Sequence, residues 1–522
     1  MLISKKTLIL TLMLTFIFVL AISSVIYAAE KVLVIGMDTS PIVSLDPAKA
    51  YEFEGSWILD NVYDKLVRFK PGSASEIEPA IAESWEFSDK TITFTIREGA
   101  KFSNGDPVDA EAVAYSLKRV VKLAQTPSWV ITQFGITEDS IKAIGNKVQI
   151  TMDQAYSPSL VLSCMTYSVT GTVNPKIAEE HDVEGDMGMA YFTEHSVGSG
   201  PYVLVSWERN QKIIFERNEY YWGPKPEIDK IVIVDIPESS SQLLQLKGGT
   251  IDLAWNLEPD QIPDVEKTKG LYSLSKSQFQ LIYFAMNGQN PPTDNVLVRR
   301  AVKSAIDTEA IIKAIGGGVA ELHTFIPKGM FAYYDGKEFP YNPEKAKELL
   351  AEAGYPDGFE VTLTVPDFLS TEGTVVKSYL EQVGIKTNLE VIAYSTLLGK
   401  YREQGLEMVI ARWGADYADP DANAKPFAHC RTTGDEAKVK QLAWRNAYAN
   451  PEMTDMVEKA AFIQDRDERE KVYIDLQKKW QSEGVFKILY QMSRQLGISD
   501  RVGNFILNEL LQTPWELITL KD

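Results

Sequence analysis

Apolar and polar positions alternate along this chain with two periods, and together they predict a mixture of strands and helices. Lys31–Ile35 is a short apolar run with the period of a strand, and turn signals follow at Pro41 and Asp46-Pro47. Tyr51–Val67 places Ile58, Leu59, Val62, Tyr63 and Leu66 on one face, which predicts a helix. Thr91, Thr93 and Thr95 alternate with Ile92, Phe94 and Ile96 as in a half-buried hairpin strand. After the Asn104-Gly105 turn, Asp109 is placed to cap a helix with Val113, Leu117, Val120 and Val121 on its stripe. A second hairpin starts at Gly198, Gly200 and Pro201, continues through Tyr202, Leu204 and Ser206, and pairs with Ile213–Glu216. Gln278–Asn287 alternates again. Asp307 and Asn342 each precede a helical pattern, one closed by Gly316-Gly317-Gly318 and the other by Gly354. Position 321 is Glu, so the glycine run lacks the third glycine of a dinucleotide fingerprint. Met456–Trp480 predicts one charged amphipathic helix with a solvated face.

Leu406–Cys430 carries the most chemistry. Met408, Ile410 and Arg412 alternate with Val409, Ala411 and Trp413, and the strand then breaks at Asp416, Tyr417, Asp419, Pro420, Asp421 and Asn423. Carboxylates at the carboxyl end of a strand in an open α/β sheet lie where ligands bind. With Trp413 and Tyr417 as apolar walls, such a loop suits a cationic or polyhydroxylated ligand. A calcium loop would use Asp419, Asp421 and Asn423, but its sixth position is Ala424 rather than Gly and its twelfth is Cys430 rather than Glu.

Composition narrows the classes. At 522 residues the chain is too long for one core. Its net charge of −19 argues against nucleic acid and anionic membranes. Lys5 and Lys6 precede an apolar run from Leu8 to Ile22 and then small residues, so residues 1–29 read as a signal peptide. No Cys lies there, so a lipoprotein is not expected, and export to a periplasm or the exterior is. The chain has only Cys164 and Cys430, expected to stay unbridged, and four His without metalloprotease spacing. No metal, cofactor or catalytic residue is expected: GxSxG, HExxH, SxxK and Walker A patterns are missing. A hydrolase using paired carboxylates is the alternative from another class.

Ala80–Val120 contains Arg97, Gly99, Phe102, Gly105 and Pro107, an R-x-G-x-x-F-x-x-G-x-P run before a helix. This run resembles the signature of the family 5 solute-binding proteins of ABC importers, the dipeptide and oligopeptide-binding group. Val197–Ile233, the LKGGTIDLAW segment ending at Trp255, and Asn342–Val365 are similar to further blocks of that family, in its order. The resemblance implies an α/β, periplasmic-binding-protein type II-like fold, with two lobes around a cleft and an additional domain on the first lobe. Carried over, lobe I is 30–67 plus 196–278 plus 503–522, the attached domain II is 68–195, and lobe II is 279–502. The implied function is extracytoplasmic capture of an oligopeptide or dipeptide for a membrane permease with separate ATPase subunits, by a monomer. Oligosaccharide or nickel-complex binding is the alternative within the family. Asp416 of the W-x-x-D-x-x-D-P-D pattern is implied to hold a ligand ammonium. Trp413, Tyr417 and Asp419 stand beside it, and Trp255, Tyr51 and Glu52 face it from the other lobe. Dipeptide-binding relatives supply an Arg after the fourth block, but no Arg lies between Val365 and Lys400, where Lys377 is the nearest substitute.

Overall fold

The computed structural model describes residues 30–521; the signal-peptide expectation falls on residues outside that range. One ten-stranded sheet runs through the molecule. Its two central strands, Leu271–Met286 and Phe486–Ser499, are the longest, and pair antiparallel along most of their length. Their register breaks between Ser277 and Leu281. On one side, Phe486–Ser499 pairs with Leu253–Ala254, followed by Val32–Met37, Lys230–Asp235, Lys212–Arg217 and Tyr202–Glu208. On the other, Leu271–Met286 pairs with Met408–Gly414, followed by Phe359–Pro366 and Ile385–Ile392. The last three strands are parallel, so their carboxyl ends share one edge. This is the two-lobed, type II periplasmic-binding-protein arrangement, with two strands crossing between lobes.

A separate four-stranded antiparallel sheet, Ala82–Ser88, Thr91–Ile96, Lys147–Thr151 and Ile141–Ile144, forms the additional domain. Asp109 caps its helix Ala110–Leu123 by accepting from the Ala112 amide at 2.9 Å. The first lobe has its own core, around Trp57, Trp255 and Trp515, to which Leu507, Leu511, Ile518 and Leu520 return from the C-terminal segment. The apolar core of the additional domain instead runs on into that of the second lobe. Tyr156 joins them, its ring 5.0 Å from Phe134 on one side and 5.0 Å from Phe462 on the other.

Two helix expectations are corrected. The first helix is Phe53–Val62 rather than 51–67, because Tyr63 turns extended and Val67–Phe69 finds a strand partner in Ile77–Pro79. The stretch 456–480 is two helices, Pro451–Ala460 and Arg466–Glu483, the second capped by Asp465 through the Glu468 amide. Nor is the second solvated throughout: Arg469, Tyr473, Leu476, Gln477 and Trp480 form a buried stripe. Cys164 and Cys430 are both free and buried.

Candidate functional site

A small cavity lies where the three parts of the molecule meet. The helix Phe53–Val62 presents Phe53, Ser56, Trp57 and Asp60 to it, positions three and four apart that share one face. The additional domain contributes residues 166–168, the C-terminal return contributes Leu510 and Gln512, and the second lobe contributes Ala415, Asp416 and Tyr417. The last three follow directly from the strand Met408–Gly414. There the ladder ends as the Ala415 amide donates back to the Phe279 carbonyl at 2.9 Å, and the chain turns into the helix Asp421–Ala428.

Two carboxylates face this cavity, and they differ in one respect. Asp60 has a cation, the Lys65 ammonium at 2.5 Å. Burial still holds its carboxyl above the usual range. Asp416 accepts one hydrogen bond, from the Tyr51 hydroxyl at 2.9 Å, and has no cationic partner among the described residues. Burial pushes its carboxyl up to about 6, with the Tyr51 bond acting in the opposite direction. The Tyr51 hydroxyl in turn accepts from the Trp129 indole at 3.0 Å, so first lobe, additional domain and second lobe converge on this acid.

The remaining residues singled out by sequence fall into place around it. Tyr417 lines the cavity with its ring while its hydroxyl donates to Asp421 at 2.8 Å. Tyr51 reaches in through its hydroxyl. Glu52 does not: its carboxylate accepts from the Val43 and Tyr51 amides and braces the segment ahead of the helix. Trp255 is buried behind Trp57, with ring centroids 4.3 Å apart, so Trp57 rather than Trp255 meets the cavity. Trp413 points to the opposite face of its strand, where its indole donates to Asn423 at 3.0 Å and its ring packs on Phe427.

Asp419 is turned away altogether. Arg469 grips it with two parallel hydrogen bonds of 2.6 and 2.7 Å, both side chains essentially inaccessible. Asp421 is held by Tyr417 and Lys425, and Asn423 donates to the Phe325 carbonyl. Asp419, Asp421 and Asn423 are therefore committed to protein groups, which removes both the calcium-loop arrangement and their use as hydroxyl acceptors. Their geometry holds the turn that aims Asp416. His429 lies within 2.9 Å of Glu458, and Lys377 pairs with Glu381 on its own helix.

Phe53, Ser56, Trp57 and Asp60 were missed because the larger apolar residues on the adjoining face of that helix dominate its pattern. The i, i+3, i+4, i+7 spacing of the four was the available signal. Nothing local announces residues 166–168, Leu510 or Gln512, which tertiary folding alone brings to the cavity.

A family model described as "Bacterial extracellular solute-binding proteins, family 5 Middle" matches residues 76–435. Among curated relatives, the probable D,D-dipeptide-binding periplasmic protein DdpA of Escherichia coli is 27% identical over 505 residues, covering 94% of each chain. Heme-binding protein A of Haemophilus influenzae is 29% identical over 444 residues, covering 79% of this chain and 78% of that one. Among solved structures, the periplasmic binding protein DppA of Helicobacter pylori in complex with the peptide STSA superposes with a TM-score of 0.75 at 26% identity. That match covers 94% of this chain and 98% of the other.

Proposed function

The chain belongs to the bacterial extracellular solute-binding proteins of family 5, and from that premise we propose that its cargo is a short peptide whose ammonium group lies on Asp416. As a member of that family it is the solute-capturing component of an ABC importer, acting outside the cytoplasm beside membrane permease and ATPase subunits. The chain captures cargo rather than converting it, and it works as a monomer. The lobe assignments 30–67 plus 196–278 plus 503–522 and 279–502, with 68–195 as the attached domain, belong to the same reading.

The observation that carries the peptide reading is Asp416, without a cationic partner among the described residues, beside a cavity that three domains line. Asp416 is half-buried, and a carboxylate partly withdrawn from water without a cation is costly, a cost that a ligand ammonium offsets. The Phe53 and Trp57 rings supply apolar walls for a side chain. The related chains described above carry names that include a D,D-dipeptide binder and a peptide complex, in keeping with such a cargo.

Native mass spectrometry on protein purified without refolding is expected to show a co-purified peptide. Calorimetric titration of wild type against Asp416→Asn is expected to show a loss of roughly 10- to 100-fold in peptide affinity, the scale for breaking a partly shielded, hydrogen-bonded charge pair. A co-purified sugar, or equal affinity of the two proteins, overturns the reading.

A further inference from the structure

Four cations gather where the helix Arg466–Glu483 ends. Arg299, Arg300 and Lys303 stand on the helix Val296–Ala305, the two arginines three and four positions before the lysine and so on its face. They donate to the carbonyls of that helix end: Arg299 to Glu483 at 3.0 Å, Arg300 to Ser482 at 3.0 Å, and Lys303 to Gln481 and Gly484. The fourth, Lys487, lies at the start of the strand Phe486–Ser499 and donates to the Lys303 carbonyl at 2.7 Å and the Phe339 carbonyl at 3.2 Å. None of the four has a carboxylate within ion-pairing distance among the described residues. Capping a helix with cations is ordinary, but each helix end carries only about half a negative charge. The two ends gathered here offset about one of the four positive charges.

The two lysines, unlike the arginines, line a cavity, together with His323, Lys337 and Glu338. Lys303 is only 2% exposed and Lys487 is half-buried. An ammonium has three N–H groups, and two carbonyls leave each lysine one for a further acceptor. Lys337 is engaged by Glu321 at 2.8 Å, and the carboxylate of Glu338, the one acid among the lining residues, belongs to an exposed side chain. Burial holds the Lys303 ammonium well below its usual range, with Arg299 and Lys487 adding to the effect. It pushes Lys487 down to about 7, helped by Lys337 and opposed by Asp307 and Glu321. A shielded cation short of a counter-charge is costly, and an anion in the cavity offsets that cost. This cavity shares no lining residue with that of Asp416. Lys487 is level with Phe284 in the central ladder, whereas Gly414 is level with Gln280, four residues or about 13 Å along the same strand.

We propose that this cavity is a second ligand site, remote from Asp416, which takes a small divalent oxyanion, phosphate or sulfate, between Lys303 and Lys487. Two ammonium groups without carboxylates call for two negative charges, and their remaining N–H groups come from different elements, so an ion with several oxygens can accept from both. Chloride or a monocarboxylate supplies one charge. The bound ion ties the segment 337–339 to the helix Val296–Ala305 and to the start of the strand Phe486–Ser499, and so steadies the second lobe whether or not the Asp416 cavity is filled.

The test uses the full mature chain. Its thermal unfolding midpoint is followed as sodium phosphate, sulfate, acetate or chloride is added at matched ionic strength, with calorimetry on sulfate. Phosphate and sulfate are expected to raise the midpoint saturably, with one ion bound per chain, and acetate and chloride to leave it in place. Lys487→Met is expected to weaken sulfate binding by about 10- to 100-fold, the scale of a hydrogen bond to a charged group, while its ligand-free midpoint is no lower than that of wild type. Lys303→Met is expected to weaken binding likewise; should that variant fail to fold, the Lys487 variant decides alone. At pH 7.5 sulfate, which does not titrate there, is expected to bind wild type with proton uptake, because the ion favours charged Lys487, and Lys487→Met with less. No saturable response to phosphate or sulfate, an equal effect of all four salts, or a sulfate affinity that Lys487→Met leaves intact each overturns the proposal.

Discussion

Asp416 and Asp419 lie three residues apart, yet their surroundings set them to different tasks. Asp419 is neutralised by a bidentate arginine, whereas Asp416 is left with one hydroxyl and a carboxyl raised to about 6. A pKa raised on folding means that the protonated acid suits the ligand-free protein better than the ionised one. Its contribution to stability is present below the ordinary carboxylate range and is lost as pH rises through about 6. Asp416→Asn is therefore expected to raise the unfolding midpoint of ligand-free protein at pH 7.5, by an amount on the order of 2 kcal/mol, and to leave it unchanged at pH 4. Binding a cation runs the other way, since it requires the ionised acid. Peptide affinity is expected to be flat above pH 7 and to weaken as pH falls through about 6 toward 5, with protons released on binding near pH 6. Calorimetry in buffers of different ionisation enthalpy checks both. An affinity that stays level down to pH 5 would mean that Asp416 carries no cation. The W-x-x-D-x-x-D-P-D spacing made both acids legible as a cluster, but which of the two is free depends on Arg469, fifty residues away.

At the scale of elements, the helix Phe53–Val62 carries most of the cavity's first-lobe wall, and its carboxyl end is seated on a glycine turn. The Gly200 amide donates to the Val62 carbonyl at 3.1 Å, and a Cβ on Gly200 would lie 2.7 Å from the Asn61 carbonyl oxygen. At Gly198 a Cβ would collide with the Val62 carbonyl oxygen. Gly198→Ala must therefore shift the helix or the turn, with a cost of about 2 to 4 kcal/mol. Denaturant unfolding is expected to show that loss together with weakened peptide binding, because Trp57 and Asp60 move with the helix. The tight turn at Gly198, Gly200 and Pro201 was readable from sequence, and so was the helix. Their contact was not, since about 140 residues of chain separate them. The same limit explains the over-long reading of this helix: periodicity continued past Tyr63, but the strand partner Ile77–Pro79 claimed Val67–Phe69.

At the scale of the molecule, the additional domain bridges the lobes. Its Ser163 hydroxyl donates to the Ala418 carbonyl at 3.2 Å, its Gln133 accepts from Lys425 at 3.2 Å, and its Ser159 accepts from Arg469 at 2.9 Å. Tyr51 ties all three parts together through Trp129 and Asp416. The crossing strands carry a register break at 277–281, and a rotation of the lobes against each other is expected to fall there. Tyr51→Phe removes the shared hydroxyl and should favour the separated arrangement by about 1 kcal/mol, roughly a fivefold shift in population. Small-angle scattering is expected to give a larger radius of gyration for this variant without ligand and wild-type dimensions with saturating peptide. No difference in either state would show that the hydroxyl does not hold the lobes together.

By itself the sequence determined the family, the succession of strands and helices, and the short stretch in which the candidate acid Asp416 lies. These rest on local periodicity, turn chemistry and motif spacing, all of which act within a few residues. Tertiary structure alone decided which carboxylate lacks a cationic partner among the described residues and which tryptophan meets the cavity. Those are questions of burial and of partners far away in the chain. A side chain's charge state and availability depend on the neighbours that exclude water from it, and only the folded arrangement of Tyr51, Trp129 and Arg469 supplies them.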